Sequence, residues 1–130
     1  MIDHTGVIVS DFDKSKNFYR AAFAAIGYEL LAEFPAAVTG HTDVAGFGEQ
    51  GKPDFWISKG TPNVPPLHVA FRVTDRKIVD AFHAAGLQAG GRDNGAPGLR
   101  AHYHPDYYGA FLLDPDGHNI EAVCHLPAPK

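Results

Sequence analysis

The chain has 130 residues, enough for one domain with a real core and too few for two conventional ones. Apolar residues make up 45% and charged residues 20%, which excludes a disordered composition. With 11 Lys+Arg against 15 Asp+Glu the net charge is −4, no basic run interleaves with aromatics to hold nucleic acid, and no apolar stretch approaches the ~20 residues that span a bilayer.

The start, Met1-Ile2-Asp3-His4, has neither a cationic stretch nor an apolar run, so no secretion signal is expected. A β-rich run follows at residues 4–9. Ser10, Asp11 or Asp13 then caps a helix through about Ile26, with Phe18, Ala22, Phe23 and Ile26 on one face and Gly27 as its stop. Short strands are predicted at Tyr28–Glu33, Val44–Phe47 and Asp54–Ser58. The segment from Gly60 to Pro66, with three prolines, can continue neither a helix nor a central strand and reads as a linker.

After the linker the pattern starts again. Residues 68–73 are a second β-rich run, Thr74 or Asp75 caps a second helix with Ile78, Phe82 and Ala85 inward, and Gly86 ends it. Residues 90–98 are glycine-rich and read as a flexible loop able to close over a cleft, more mobile than the strands. Next comes His102-Tyr103-His104-Pro105-Asp106-Tyr107-Tyr108, dense in groups that exchange protons near neutrality. Strands at Tyr107–Asp114 and His118–Cys124 form a hairpin across the turn Asp114-Pro115-Asp116-Gly117.

An offset of 64 aligns His4 with His68, Val9 with Val73, Asp11 with Asp75, Phe18 with Phe82 and Gly27 with Gly91. The chain therefore reads as one domain of two βαβββ modules, about 1–60 and 67–130, joined by the linker at 60–66 and sharing one core. The fold class is α+β, with helices outside a largely antiparallel sheet. Strand alternation puts Thr5, Val7 and Val9 beneath the first helix and His4, Gly6 and Ile8 on the other face. The second module repeats this with Val69, Phe71 and Val73 against His68, Ala70 and Arg72. Glu121 lies in an apolar final strand, where a carboxylate is costly unless paired or bound to a cation. His4, His68 and Glu121 form a two-histidine, one-carboxylate set on separate strands, suited to Fe, Mn, Zn or Ni as a divalent ion. The same spacing also accommodates surface histidines and an edge-strand carboxylate. Arg72, on the face of His68, can anchor a carboxylate or phosphate. His118, in the turn, and Cys124, of opposite parity to Glu121, are not expected to ligate or attack. The single cysteine excludes an internal disulfide framework and fits a reducing cytosol.

With its two histidine-led strands and the run from Tyr107 through Asp114-Pro115-Asp116-Gly117 to Glu121, the chain resembles the vicinal oxygen chelate superfamily. That superfamily includes glyoxalase I, extradiol dioxygenases, fosfomycin-resistance proteins and bleomycin-resistance proteins. The resemblance implies two βαβββ modules curling into an open, barrel-like cleft around a divalent ion, with His4, His68 and Glu121 at the three recurrent ligand positions. A fourth glyoxalase I ligand has no clear counterpart: the offset of 64 puts Ile57 opposite Glu121, a slip of one or three residues puts Trp56 or Asp54 there, and of these only Asp54 can ligate. A tyrosine that dioxygenases and fosfomycin-resistance enzymes carry ten residues before the ligand Glu is Phe111 here. The expected function is a cytoplasmic, homodimeric, metal-dependent lyase, isomerase or dioxygenase acting on a small substrate that chelates the ion through adjacent oxygens. Glu121, His102, Tyr103, His104 and Tyr107 are its expected catalytic groups, and Arg72, Phe55, Ile57 and Phe111 line its substrate cleft. The alternative is a metal-free protein that sequesters a small molecule, of the bleomycin-resistance type.

Overall fold

Two aspartates start the two long helices. A computed structural model describes residues 1–130. In it Asp11 stands in an extended conformation and its side chain accepts from the Lys14 N–H at the start of α1 (Phe12–Ala24). Asp75 does the same for α3 (Arg76–Gln88) through the Lys77 N–H. α1 buries Phe12, Phe18, Tyr19, Ala22 and Phe23 on one face, and the chain leaves it through Gly27 at φ 85°. α3 runs past Gly86, which therefore does not end it. Gly86 is instead buried against Leu112 and Phe18, where a side chain would collide. Neither long helix, nor the short α2 (Ala36–Thr39), is long and apolar enough to cross a membrane.

The strands form two four-stranded sheets that do not close into a barrel. β1 (Thr5–Val9), β2 (Glu29–Phe34), β3 (Val44–Glu49) and β4 (Lys52–Lys59) are ordered β1-β4-β3-β2. β5 (His68–Val73), β6 (Arg92–Leu99), β7 (Tyr108–Leu113) and β8 (Asn119–Cys124) are ordered β5-β8-β7-β6. In each sheet the first strand pairs parallel to the last and the remaining pairs are antiparallel. The glycine-rich segment is thus an edge strand, not a free loop. Its register against β7 shifts twice, around Gly95, so it pairs in pieces.

The helices cover one face of each sheet, and the side chains that strand alternation aimed at them are buried: Val7 and Val9 in β1, Phe55 and Ile57 in β4, Ile120 and Ala122 in β8. Aromatic rings join the two halves. Phe23 of α1 lies 4.9 Å from Phe71 of β5 and 5.3 Å from Phe55, in edge-on geometry.

A polar bolt fastens the last turn to the first strand. Asp114, fully buried, accepts from the Tyr19 hydroxyl at 2.6 Å and from the Asp116 and His118 N–H groups. His118, also fully buried, accepts from the Leu67 N–H at Nδ1 (3.0 Å) and donates from Nε2 to the Ile8 carbonyl (2.9 Å), which fixes a neutral Nε2–H imidazole. The Ile8 N–H donates to the Asn63 side chain at 2.9 Å. Side chains thus satisfy main-chain groups that a sheet-edge strand would otherwise leave open. Burial first, and the adjacent Asp114 carboxylate second, push the Tyr19 hydroxyl well above the usual tyrosine range.

Tyr19→Phe leaves one oxygen of a buried carboxylate without its donor and should lower unfolding free energy by about 1–3 kcal/mol. Urea denaturation measures this; stability equal to wild type would show that the bolt contributes nothing.

Candidate functional site

Each sheet keeps one face free of helices, and the two histidine-led strands present their ligand-type residues there. On the second sheet β5 and β8 run parallel with Ala70 opposite Glu121, and β7 sets Phe111 opposite Glu121 on its other side. His68, Glu121 and Phe111 therefore point from the same face. Glu121 is only 1% exposed. Its Oε1 lies 2.8 Å from Nε2 of His68, and its Oε2 accepts from the Tyr107 hydroxyl. No lysine or arginine pairs with it. Gly109 leaves the carboxylate room: a Cβ there would stand 3.4 Å from Oε2 and 3.1 Å from the Tyr107 ring. Tyr103, Tyr107, Phe111, His68 and Glu121 line an open cleft of about 390 Å³.

The Tyr107 hydroxyl is pushed above the usual tyrosine range, first by burial and then by its bond to Glu121, so it stands as a proton donor. Phe111 has no hydroxyl, and the phenol that meets Glu121 comes from position 107, at the end of the loop before β7. The other expected proton-transfer groups are less central. His102 lies tilted against Tyr103 with ring centroids 4.1 Å apart, and both are exposed. His104 accepts from the Asp106 N–H and faces His125 with centroids 5.8 Å apart, away from the carboxylate.

His4 is not brought to this group. It stands exposed before β1, its Nδ1 2.7 Å from the Asp3 carboxylate, on the rim of a separate cleft of about 480 Å³ with Gly6, Val44, Trp56 and Ser58. No three His, Cys, Asp or Glu side chains of one chain gather closely enough to hold an ion. The barrel-like cleft expected around all three ligands is therefore two clefts within one chain.

The pairing registers show what stands in place of a fourth ligand. Gly6, two residues after His4, pairs with Trp56; Ala70, two residues after His68, pairs with Glu121. Trp56, not Ile57, is the counterpart of Glu121. Its indole stacks on Phe34 and lies over Gly46, where a Cβ would come within 2.9 Å of the ring. Ile57 and Phe55 point the other way and are fully buried in the core, so neither lines a cleft; this corrects their expected role. Asp54 is engaged elsewhere, accepting from the Tyr28 hydroxyl at 2.7 Å and from Lys52 at 2.8 Å. The lysine, then the tyrosine, hold its carboxyl below the usual carboxylate range. Arg72 is exposed one alternation beyond Glu121, opposite Val123, and borders a different cleft with Tyr28 and Glu49, so it does not line the Glu121 cleft; this corrects its expected role.

Tyr107→Phe removes a donor from a nearly fully buried carboxylate and should lower stability by about 1–3 kcal/mol in metal-free protein. Chemical denaturation without metal reads this directly; no change would mean the hydroxyl does not hold Glu121.

Comparison with known proteins agrees with this architecture. A family model described as the Glyoxalase/Bleomycin resistance protein/Dioxygenase superfamily matches residues 1–122. No curated protein matches the chain. Among solved structures, a glyoxalase/bleomycin resistance protein from Albidiferax ferrireducens is 27% identical, with a TM-score of 0.74 over 96% of this chain and 98% of that one. A Glu-to-Gln mutant of the fosfomycin resistance protein FosX from Listeria monocytogenes, in complex with Mn(II) and 1S,2S-dihydroxypropylphosphonic acid, is 18% identical, with a TM-score of 0.69 over 95% of this chain and 91% of that one. A Glu-to-Gln mutant of glyoxalase I from Zea mays is 19% identical with a TM-score of 0.70, over 98% of this chain and 46% of that longer one.

Proposed function

Because the chain belongs to the glyoxalase/bleomycin resistance protein/dioxygenase superfamily, we propose that it is a divalent-metal-dependent enzyme whose ion is held by His68 and Glu121 of one copy and His4 of a second. The substrate is a small molecule that offers two adjacent oxygens. The observation that carries this reading is the buried Glu121 carboxylate, which faces an imidazole and a phenol but no fixed cation. A buried anion of that kind asks for a positive partner.

The donor atoms fit. His68 Nε2 and Glu121 Oε1 lie 2.8 Å apart on one sheet face, an imidazole and a carboxylate that would hold a divalent ion in place of the proton they share. His4 has its Nδ1 occupied by Asp3, which leaves Nε2 free and the ring oriented, as carboxylates commonly orient metal-binding imidazoles. Since His4 is exposed and remote from the other two in one chain, a second copy is the natural source of the third ligand. The bound ion would act as a Lewis acid toward the substrate's two oxygens.

The chain's own groups do the rest. Tyr107 fixes Oε2 of Glu121, leaving Oε1 to turn toward the ion. Phe111 and Tyr103 form an apolar floor that orients the substrate and keeps water from one side. Tyr107, the phenol that lines the cleft with Glu121, can pass a proton to a substrate oxygen. Isomerase and lyase chemistry would need only the ion's Lewis acidity, and oxygen-dependent chemistry a redox-active ion as well.

Mn(II), Ni(II) or Zn(II) should raise the melting temperature of wild type and not of His4→Ala, His68→Ala or Glu121→Ala, because only the native state holds the ion. Mixing His4→Ala with Glu121→Ala subunits should restore one intact site per mixed dimer, read as metal bound after refolding the two together. No metal uptake by wild type would replace this reading with a metal-free binder, and no recovery on mixing would place the site within one chain.

A further inference from the structure

Arg100 begins the loop between β6 and β7, and its main chain is pinned at both ends. Its N–H donates to the Tyr107 carbonyl at 2.7 Å, and its carbonyl accepts from the Tyr103 N–H at 2.9 Å. The side chain folds back over the edge strand. Nη1 donates to the Gly98 carbonyl and Nη2 to the Ala96 carbonyl, each at 2.8 Å. The guanidinium carbon lies 5.4 Å from the centre of the Phe111 ring.

The glycines of β6 make the seat. A Cβ on Gly95 would stand 3.1 Å from Nη2 and 2.8 Å from the Phe111 ring, and one on Gly98 3.3 Å from Nη1. Gly95, at φ 152°, also adopts a backbone conformation other residues resist. The composition that reads as a flexible lid in the sequence therefore accommodates a fixed guanidinium.

That guanidinium is an unanswered charge. It has five N–H donors, of which two go to carbonyls, and none of the ion pairs involves it. It stands beside the Glu121 cleft: Phe111, against which it rests, is 6.2 Å from the His68 ring and pairs with Glu121 in the sheet. Arginine in such a fixed, half-buried setting presents a fork matched to an oxyanion.

We propose that Arg100 is a substrate-binding residue that selects an anionic chelator, holding its oxyanion while the vicinal oxygens reach the ion at His68 and Glu121 across the Phe111 ring. This rests on the preceding assignment for the chelating end only; the anion end is carried by Arg100 itself. Arg72 lacks the pinned side chain and is the comparison residue.

Titration calorimetry tests it with 3,4-dihydroxybenzoate and its neutral amide, 3,4-dihydroxybenzamide, on Zn(II)-loaded protein. Wild type should prefer the carboxylate at least tenfold. Arg100→Gln should abolish the preference, Arg100→Lys should keep part of it, and Arg72→Gln should keep it all, with Zn(II) affinity unchanged in each. The corresponding phosphonate tells which oxyanion is favoured. The non-chelating pair 3,4-dimethoxybenzoate and 3,4-dimethoxybenzamide on metal-free protein reads Arg100 alone, and the carboxylate should again be preferred. Absence of Zn(II) binding with that preference intact would sink the metal assignment and leave this one standing. Equal affinity for charged and neutral forms in wild type, or a preference that survives Arg100→Gln, would overturn the proposal.

Discussion

A carboxylate buried in the middle of a sheet has to be answered locally, and the open face of the second sheet is arranged around that need. Glu121 sits between the main chains of β5 and β7, where only Ala70 and Phe111 lie directly beside it and Gly109 clears the space above. His68 and Tyr107 reach it from either side, one on each oxygen. Each supplies a hydrogen bond in place of water to one carboxylate oxygen. The apolar side of the same strand holds Ile120 and Ala122 in the core, so strand alternation fixes where the carboxylate points. The polar bolt at Asp114 and His118 sets the turn from which β8 departs and ties it to β1. A shift of that turn would move Glu121 with it.

The two modules share a plan, and the difference between them is chemical. Equivalent positions two residues after each histidine pair with Trp56 in one sheet and Glu121 in the other. A tryptophan in that place closes over Gly46 and stacks on Phe34, making an aromatic shelf where its counterpart presents a carboxylate. One module thus offers a histidine beside an aromatic surface, and the other a histidine with a carboxylate. Two copies placed with unlike faces together would give each site one of each, a two-fold arrangement in which neither chain is complete alone.

Much of the fold was legible because its signals are local. The helix caps, the Asp114-Pro115-Asp116-Gly117 turn and the alternation of Val7 and Val9 each depend on a few neighbouring residues; the turn and the alternation are found as read, and of the cap candidates the structure selects Asp11 and Asp75. The pairing of His68 with Glu121 was legible from parity, since both lie on the helix-free face of parallel strands. What failed depended on register and shape. One residue of slip between repeats exchanges the faces of a strand, so the period that serves β1 and β5 names Ile57 where the sheet presents Trp56. Gly86 reads as a helix stop, yet it is a packing site, because sequence carries no sign of Leu112 lying against it. β6 reads as a loop because glycine weakens strand propensity, and its use as a seat for Arg100 exists only once β6, β7 and the following loop are assembled. The separation of His4 from His68 and Glu121 was invisible for a related reason: repeat symmetry predicts equivalent positions, not which sheets face each other.

Anomalous diffraction from crystals grown with Mn(II) tests the central claim most directly. The expected result is one ion per chain bonded to Nε2 of His68, a carboxylate oxygen of Glu121 and the imidazole of the partner's His4, with open positions facing Phe111 and Tyr103. An ion absent from Glu121, or bound only at the exposed His104 and His125 rings, would contradict the account.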